Sequence, residues 1–288
     1  MLRIIQYMSR RGWLDWLADE KYLRAVFRLK FGKTLDLSQP KTFNEKLQWL
    51  KLYNRDDRYT DLVDKYKVRQ IVSDIIGEEH LVPLIGVWDS PENIDFSILP
   101  NKFVLKCTHD SGGLAVCKDK NTFDFASEVK KLKKAFRNNG YGYGREWPYK
   151  NIEKRVIAEK YLENNEDGLV DYKLFCFSGE VKIILVCQSR FTEKGLTEDF
   201  YTPEWERIPV KRPDHPNGPL LEKPKQIDEM ISLGQKLSSG FPFLRVDFYL
   251  VNEKIYFGEL TFFPASGFTG FDPEKYDQQF GDWIKLPG

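Results

Sequence analysis

The sequence predicts an α+β protein whose first third is mainly helical. Apolar residues recur at three- and four-residue spacing in Leu23, Val26, Phe27 and Leu29, and again in Phe43, Leu47, Leu50 and Leu52, the stripe of an amphipathic helix. From residue 102 the pattern changes to the short apolar runs of strands, at 102–107, 114–117, 157–162, 171–177, 181–187, 244–250 and 255–261. With 41% apolar and 15% aromatic residues, a chain of 288 residues has the material for a sizeable core, which excludes disorder.

Composition narrows the function as well. Lys and Arg number 44 against 43 Asp and Glu, a formal charge of +1, so nothing is held by bulk electrostatics. No nucleic-acid partner is expected, and any polyanion must meet a local patch. The apolar runs fall far short of the roughly 20 residues of a spanning helix. The first residues mix basic and apolar side chains without the pure apolar core or cleavage site of a secretory signal, so a cytoplasmic protein is expected. Arg3, Arg10 and Arg11 beside Ile4, Ile5 and Trp13 also admit peripheral contact with the inner face of the membrane, although a helix packed on the core is the simpler reading. Cys107, Cys117, Cys176 and Cys187 lack Cys-x-x-Cys spacing and lie in apolar runs, which reads as buried reduced thiols.

Along the chain, Pro40 precedes a helix start, with Thr42 as its cap and Glu45 closing a capping box. The next helix is expected to carry Asp64-Lys65-Tyr66-Lys67-Val68-Arg69, and little strand is expected before residue 95. Strands 102–107 and 114–117 should form a hairpin around Asp110-Ser111-Gly112-Gly113, followed by a helix over 126–136. The run Asn138-Asn139-Gly140-Tyr141-Gly142-Tyr143-Gly144 reads as a flexible lid with glycine hinges. Together with the basic run 130–137, Tyr141, Tyr143, Arg145 and Trp147 offer charge and stacking surfaces to a polyanion. Ser178-Gly179 should join two strands in a short hairpin. A proline-studded loop over about 190–224 leads to a helix near 225–237 and a last hairpin. There is no internal repeat.

Three places carry chemistry. If the last hairpin turns through a three-residue loop, Asn252-Glu253-Lys254, then Asp247 faces Glu259 and Arg245 faces Thr261. Opposed carboxylates about 4.5–5.5 Å apart at Cβ repel unless a cation lies between them, and hard oxygen ligands suit Mg²⁺, which takes its remaining ligands from water and phosphate. A two-residue loop would instead put the two carboxylates on opposite faces. Arg245 either neutralises Asp247 or supplies a fork for phosphate. Second, Lys106 ends a buried strand and must reach a cleft or a partner, and the adjacent glycine turn exposes backbone N–H groups for phosphate. Third, Glu159-Lys160-Tyr161-Leu162 is a strand leading to a hinge where one N–H, one C=O and Leu162 can read an adenine.

Taken together, Lys65, Lys106, Ser111-Gly112-Gly113, Glu159 to Leu162, Arg245-x-Asp247 and Glu259-x-Thr261 resemble the ATP-grasp superfamily over roughly residues 60–270. More narrowly, Pro40 to Leu50, Asp64 to Arg69, Phe103 to Gly113 and Arg145 to Tyr149 resemble the teichuronopeptide-biosynthesis (TupA-like) ATP-grasp family over nearly the whole chain. The resemblance implies the ATP-grasp fold, two α+β lobes clasping ATP. A helical region over 1–95 would precede the ATP-grasp region over 96–288, its small lobe about 96–162 and its large lobe about 163–288. It implies ATP and Mg²⁺ as cofactors. Lys65, Lys106, Ser111, Gly112, Gly113, Glu159, Lys160, Tyr161 and Leu162 would bind the nucleotide, with Asp171 as the ribose contact. Asp247, Glu259 and Thr261 would bind metal, Thr261 standing where the superfamily usually has Asn, and Arg245 and Lys106 would be catalytic. The implied reaction is ATP-dependent amide formation between a uronic acid of a bacterial surface polysaccharide and an amino acid or amine. The rivals are a metal-dependent glycosyltransferase, for which no early βαβ nucleotide unit is seen, a kinase, and a non-catalytic nucleotide sensor.

Overall fold

The computed structural model describes residues 2–110, 112–138, 140–163, 168–189 and 195–287. Its helices are α1 (Leu2–Arg10), α2 (Asp19–Phe31), α3 (Phe43–Tyr53), α4 (Arg58–Val63), α5 (Val68–Ile76), α6 (Phe125–Phe136), α7 (Ile227–Ser238) and α8 (Lys275–Trp283). Its strands are β1 (Leu84–Trp88), β2 (Phe103–Cys107), β3 (Leu114–Cys117), β4 (Val156–Lys160), β5 (Asp171–Phe177), β6 (Glu180–Gln188), β7 (Thr197–Tyr201), β8 (Arg207–Ile208), β9 (Phe243–Val251) and β10 (Lys254–Thr261). They fall into two compact units, each built from several stretches of chain.

The first unit comprises Met1–Leu17, Asp56–Ile71 and Leu81–Glu163. Its antiparallel sheet runs β1-β4-β2-β3. One face alternates inward through Phe103, Leu105 and Cys107 on β2 and Ala115 and Cys117 on β3, and α6 covers it with Leu132 and Ala135. β1 corrects the expectation of little strand before residue 95. It is an edge strand with a bulge between Leu84 and Gly86 and a half-buried surface, and so lacks a strong alternation. Asp64 to Lys67 are not in a helix. Asp64 ends α4, and its side chain accepts from the backbone N–H of Tyr66 and Lys67 before α5 starts.

The second unit comprises Ala18–Arg55, Val72–His80 and Asn164–Gly288. Its sheet order is β10-β9-β5-β6-β7-β8, antiparallel throughout. β7 and β8 lie in what the sequence reads as a long loop; they are short and polar at their ends. β5 is buried at every position. Leu174 and Cys176 face α7, where the Cys176 thiol meets the Gly234 carbonyl, and Phe175 and Phe177 face α3. Phe43, the first residue of α3, packs among Phe175, Phe177, Phe243 and Phe271 with ring centroids 5.0–6.3 Å apart. The expected capping box is present: Thr42 accepts from the Glu45 N–H at 3.2 Å and Glu45 accepts from the Thr42 N–H at 3.0 Å.

Candidate active site

The last hairpin differs from expectation and yet brings the expected residues together. Val251 pairs with Lys254, so the loop is the two-residue Asn252-Glu253, both left-handed with φ of 51° and 62°. Such a loop alone would put Asp247 and Glu259 on opposite faces. A bulge at Gly258 undoes the slip: Phe257 pairs with Phe248, but Glu259 pairs with Asp247 and Thr261 with Arg245. The bulge presses Gly258 against β9, where a Cβ would stand 3.1 Å from the Asp247 carbonyl oxygen.

Around this pair lies a buried charge cluster. The Arg245 guanidinium forks onto Asp247, with Nε–Oδ1 and Nη2–Oδ2 both 2.7 Å, and Nη2 also donates to Glu259 at 2.8 Å. The Thr261 hydroxyl is 3.3 Å from the same Glu259 oxygen. Lys173, which the sequence reading passed over, sits on β5 directly opposite Asp247 and donates to its Oδ2. It also lies 3.8 Å from Asp171. Burial works against the Lys173 charge, but Asp247, Asp171 and Glu259 outweigh it and hold its pKa above the ordinary lysine value. Burial likewise opposes the Arg245 charge, and Asp247 and Glu259 more than offset it. A signal for Lys173 was present, since a lysine inside an unbroken apolar strand demands a counter-ion.

The donor set suits a hard divalent cation. Two carboxylates at paired positions on one face, kept together only by cations between them, match what Mg²⁺ takes from protein, with water and phosphate supplying the rest. Among the described residues there is no group of three or more His, Cys, Asp or Glu placed to hold a metal ion.

In the first unit, Lys106 meets Glu159 at 2.6 Å and Arg69 meets the other oxygen of the same carboxylate at 2.9 Å. Arg69 also donates to the Val82 carbonyl. Glu159 is thus a buried acceptor that fixes Lys106. The Lys160 N–H is bonded to the Pro83 carbonyl at 2.9 Å, and Tyr161 and Leu162 follow β4, both half-buried. Lys65 lies at the glycine loop, its ammonium 2.7 Å from the Asp110 carbonyl. The turn was expected to present open N–H groups, but those of Gly112 and Gly113 already reach the Asp110 carboxylate at 3.2 and 2.7 Å. A phosphate at this loop must displace Asp110. Ser111 lies outside the described residues.

The Gly-Tyr run is not an open lid with stacking surfaces. Tyr141 and Trp147 are buried, Trp147 stacks on Tyr59, and the fully buried Arg145 pairs with Asp15 at 3.2 Å. Gly142 allows close approach rather than hinging, because a Cβ there would lie 2.1 Å from the Ser9 carbonyl oxygen. The four cysteines are free and buried as expected, and burial pushes the Cys107 thiol up to about 12.

No curated protein matches the sequence. Among solved structures, the chain is similar to the D-alanine–D-alanine ligase of Helicobacter pylori, with 15% identity, 85% of this chain and 69% of that one covered, and a TM-score of 0.44. For the Bacillus anthracis D-alanine–D-alanine ligase solved with ATP the values are 16%, 77%, 63% and 0.42. For the ATP-grasp ligase PsnB, solved with a precursor variant, Mg and ADP, they are 11%, 76%, 57% and 0.40. The chain therefore spans less than two thirds of the last two proteins. Residues 45–285 match the model of the TupA-like ATP-grasp family, and the chain belongs to that family.

Proposed function

We propose that the protein is an ATP-dependent carboxylate–amine ligase that joins a uronic acid of a bacterial surface polysaccharide, or of its precursor, to an amino acid or amine. The observation that carries this reading is the cluster of Arg245, Lys173, Asp247 and Glu259 on one face of the second unit's sheet, in a chain of the TupA-like ATP-grasp family. A carboxylate is a poor acylating agent at neutral pH. Transfer of the terminal phosphate of ATP to a carboxylate oxygen breaks the bond from γ-phosphorus to the bridging oxygen, releases ADP and gives an acyl phosphate. The amine then attacks the acyl carbon, loses a proton and expels phosphate.

The protein's share of this chemistry is positioning and charge compensation. Asp247 and Glu259, with the Thr261 hydroxyl beside them, would hold Mg²⁺, which supplies positive charge to the phosphates. Arg245 would meet the transferred phosphoryl group. Lys65 and Lys106 would meet the nucleotide phosphates, with Glu159 and Arg69 aiming Lys106. The glycine loop at Gly112 and Gly113 would close over those phosphates, Lys160, Tyr161 and Leu162 would hold the base, and Asp171 would bind the ribose. No covalent nucleophile is required. Use of ATP would place the reaction in the cytoplasm.

The test is ATP turnover with Mg²⁺, pairing uronic acids with pools of amino acids and amines, with Lys106→Ala and Glu259→Gln as controls. ADP and phosphate appearing only with both acceptors, plus a conjugate lighter by one water than its parts, is the expected result. A phosphorylated acceptor would replace the reading with a kinase. Consumption of a nucleotide sugar while ATP stays idle would replace it with a glycosyltransferase.

A further inference from the structure

The first unit carries an apolar and basic surface that no catalytic role uses. On α1, Arg3, Ile4, Tyr7 and Arg10 share one exposed helix face, and Arg11 follows it. Ile4 is 64% and Tyr7 52% exposed, and in the turn that follows Trp13 is 57% and Trp16 80% exposed. These side chains form one surface. The Arg11 guanidinium lies over the Tyr7 ring at 5.3 Å, Tyr7 meets Trp13 edge-on at 5.8 Å, and the Trp16 indole donates to the Trp13 carbonyl. The opposite side of α1 is anchored, with Ser9 buried against Gly142. The helix is therefore a fixed part of the unit, and its apolar face is presented outward rather than left over from loose packing.

We infer that this face docks on an anionic lipid surface. Large aromatic side chains with polar edges beside arginines are the composition of a helix that lies in the headgroup region. Residues 2–14 contain three arginines and no acidic residue, and the carboxylate that follows them, Asp15, pairs with the buried Arg145. The patch is thus positive, on a chain whose formal charge is only +1, and complements phosphate headgroups. A second copy of the same face would bring arginine against arginine, which disfavours a symmetric dimer through it. The inference is independent of the ligase reading, because it concerns only where the protein sits.

The test is co-sedimentation of the full chain with equimolar phosphatidylglycerol–phosphatidylcholine vesicles and with pure phosphatidylcholine vesicles, with quenching of tryptophan fluorescence by brominated lipid. Binding to the anionic vesicles, weaker in high salt and absent with the neutral ones, is expected. Replacing Arg3, Arg10 and Arg11 together by Gln should weaken it roughly a hundredfold, at about fivefold for each charge. Trp13→Ser with Trp16→Ser should remove the quenching and cut binding roughly tenfold or more. All five side chains are exposed, so a thermal melt should show the variants folded. The inference falls if anionic vesicles leave the protein in solution, or if these variants bind as the parent does. It falls equally if the tryptophans serve a dimer seen by sedimentation, or if the patch takes polygalacturonate in place of lipid.

Discussion

Replacing Lys173 by Met tests the charge cluster most directly. Methionine keeps most of the stem's packing and removes only the ammonium. In the parent that ammonium faces two acids, Asp247 in direct contact and Asp171 at 3.8 Å. The Asp171 pair alone has a Coulomb energy of about 4 kcal/mol at an effective dielectric near 20, before desolvation is charged against it. Removing one partner of a buried pair typically costs about 3–5 kcal/mol. Arg245 keeps two hydrogen bonds to Asp247, so the expected loss is nearer ~2–3 kcal/mol. Because the folded-state pKa of Lys173 lies above the free value, its contribution is complete at neutral pH and is lost only as pH rises through that raised pKa. Urea unfolding at pH 7 measures the loss. Asp247→Asn made in the Lys173→Met background should cost ~1–2 kcal/mol less than it does in the parent, since it removes the stranded charge. A loss below ~0.5 kcal/mol, or strict additivity of the two changes, would refute the argument that Lys173 is held by Asp247.

Three further outcomes are expected. Burial brings the His109 pKa down to about 4, so the unfolded chain takes up a proton there first, and stability falls as pH drops from about 6.5 towards 4. His109→Phe should flatten that slope by about 2 kcal/mol in urea unfolding at pH 7 and pH 4.5, the ring keeping its edge-on place against Phe136. Gly142→Ala must push the Ser9 carbonyl, and α1 with it, away from residue 142, costing about 2 kcal/mol and exposing the first 17 residues to limited proteolysis, whereas an unchanged digestion pattern would mean that α1 is not seated there. Thr42→Ala removes one half of the capping box and should lower stability by about 1 kcal/mol, read from the urea midpoint.

How far the sequence led can be seen in the last hairpin. Its strands and the facing of Asp247 with Glu259 were legible; of the two loop lengths the sequence allows, the structure has the two-residue one, with the register restored at Gly258. Asn252-Glu253 lacks the glycine that usually marks a two-residue turn, and Gly258 gave no sign in advance that it is the extra residue of a bulge. Two departures from a regular ladder cancelled. β1, β7 and β8 were missed for another reason: they are short and lack a clean alternation of their own, β1 and β8 as sheet edges and β7 held between β6 and β8. The apolar run around Lys173 signals that the lysine needs a counter-ion, but that the counter-ion is Asp247 comes from cross-strand pairing, which local sequence does not display. The same limit applies to Asp110, whose carboxylate fills the glycine turn that looked ready for a phosphate.

The interleaving of the two units also bears on how the protein is made. The chain passes from one unit to the other after residues 17, 55, 71, 80 and 163, so any contiguous fragment that holds the whole of one unit also holds segments of the other. On the ribosome, α3 emerges early carrying Phe43, whose ring waits for Phe175, Phe177, Phe243 and Phe271, between 132 and 228 residues away along the chain. Closing loops of that length is slow, and apolar surface stays uncovered meanwhile. The nascent second unit therefore stays incomplete until its last strands have been synthesised, and a genetic split of this protein anywhere between residues 55 and 164 would divide that unit between the two halves.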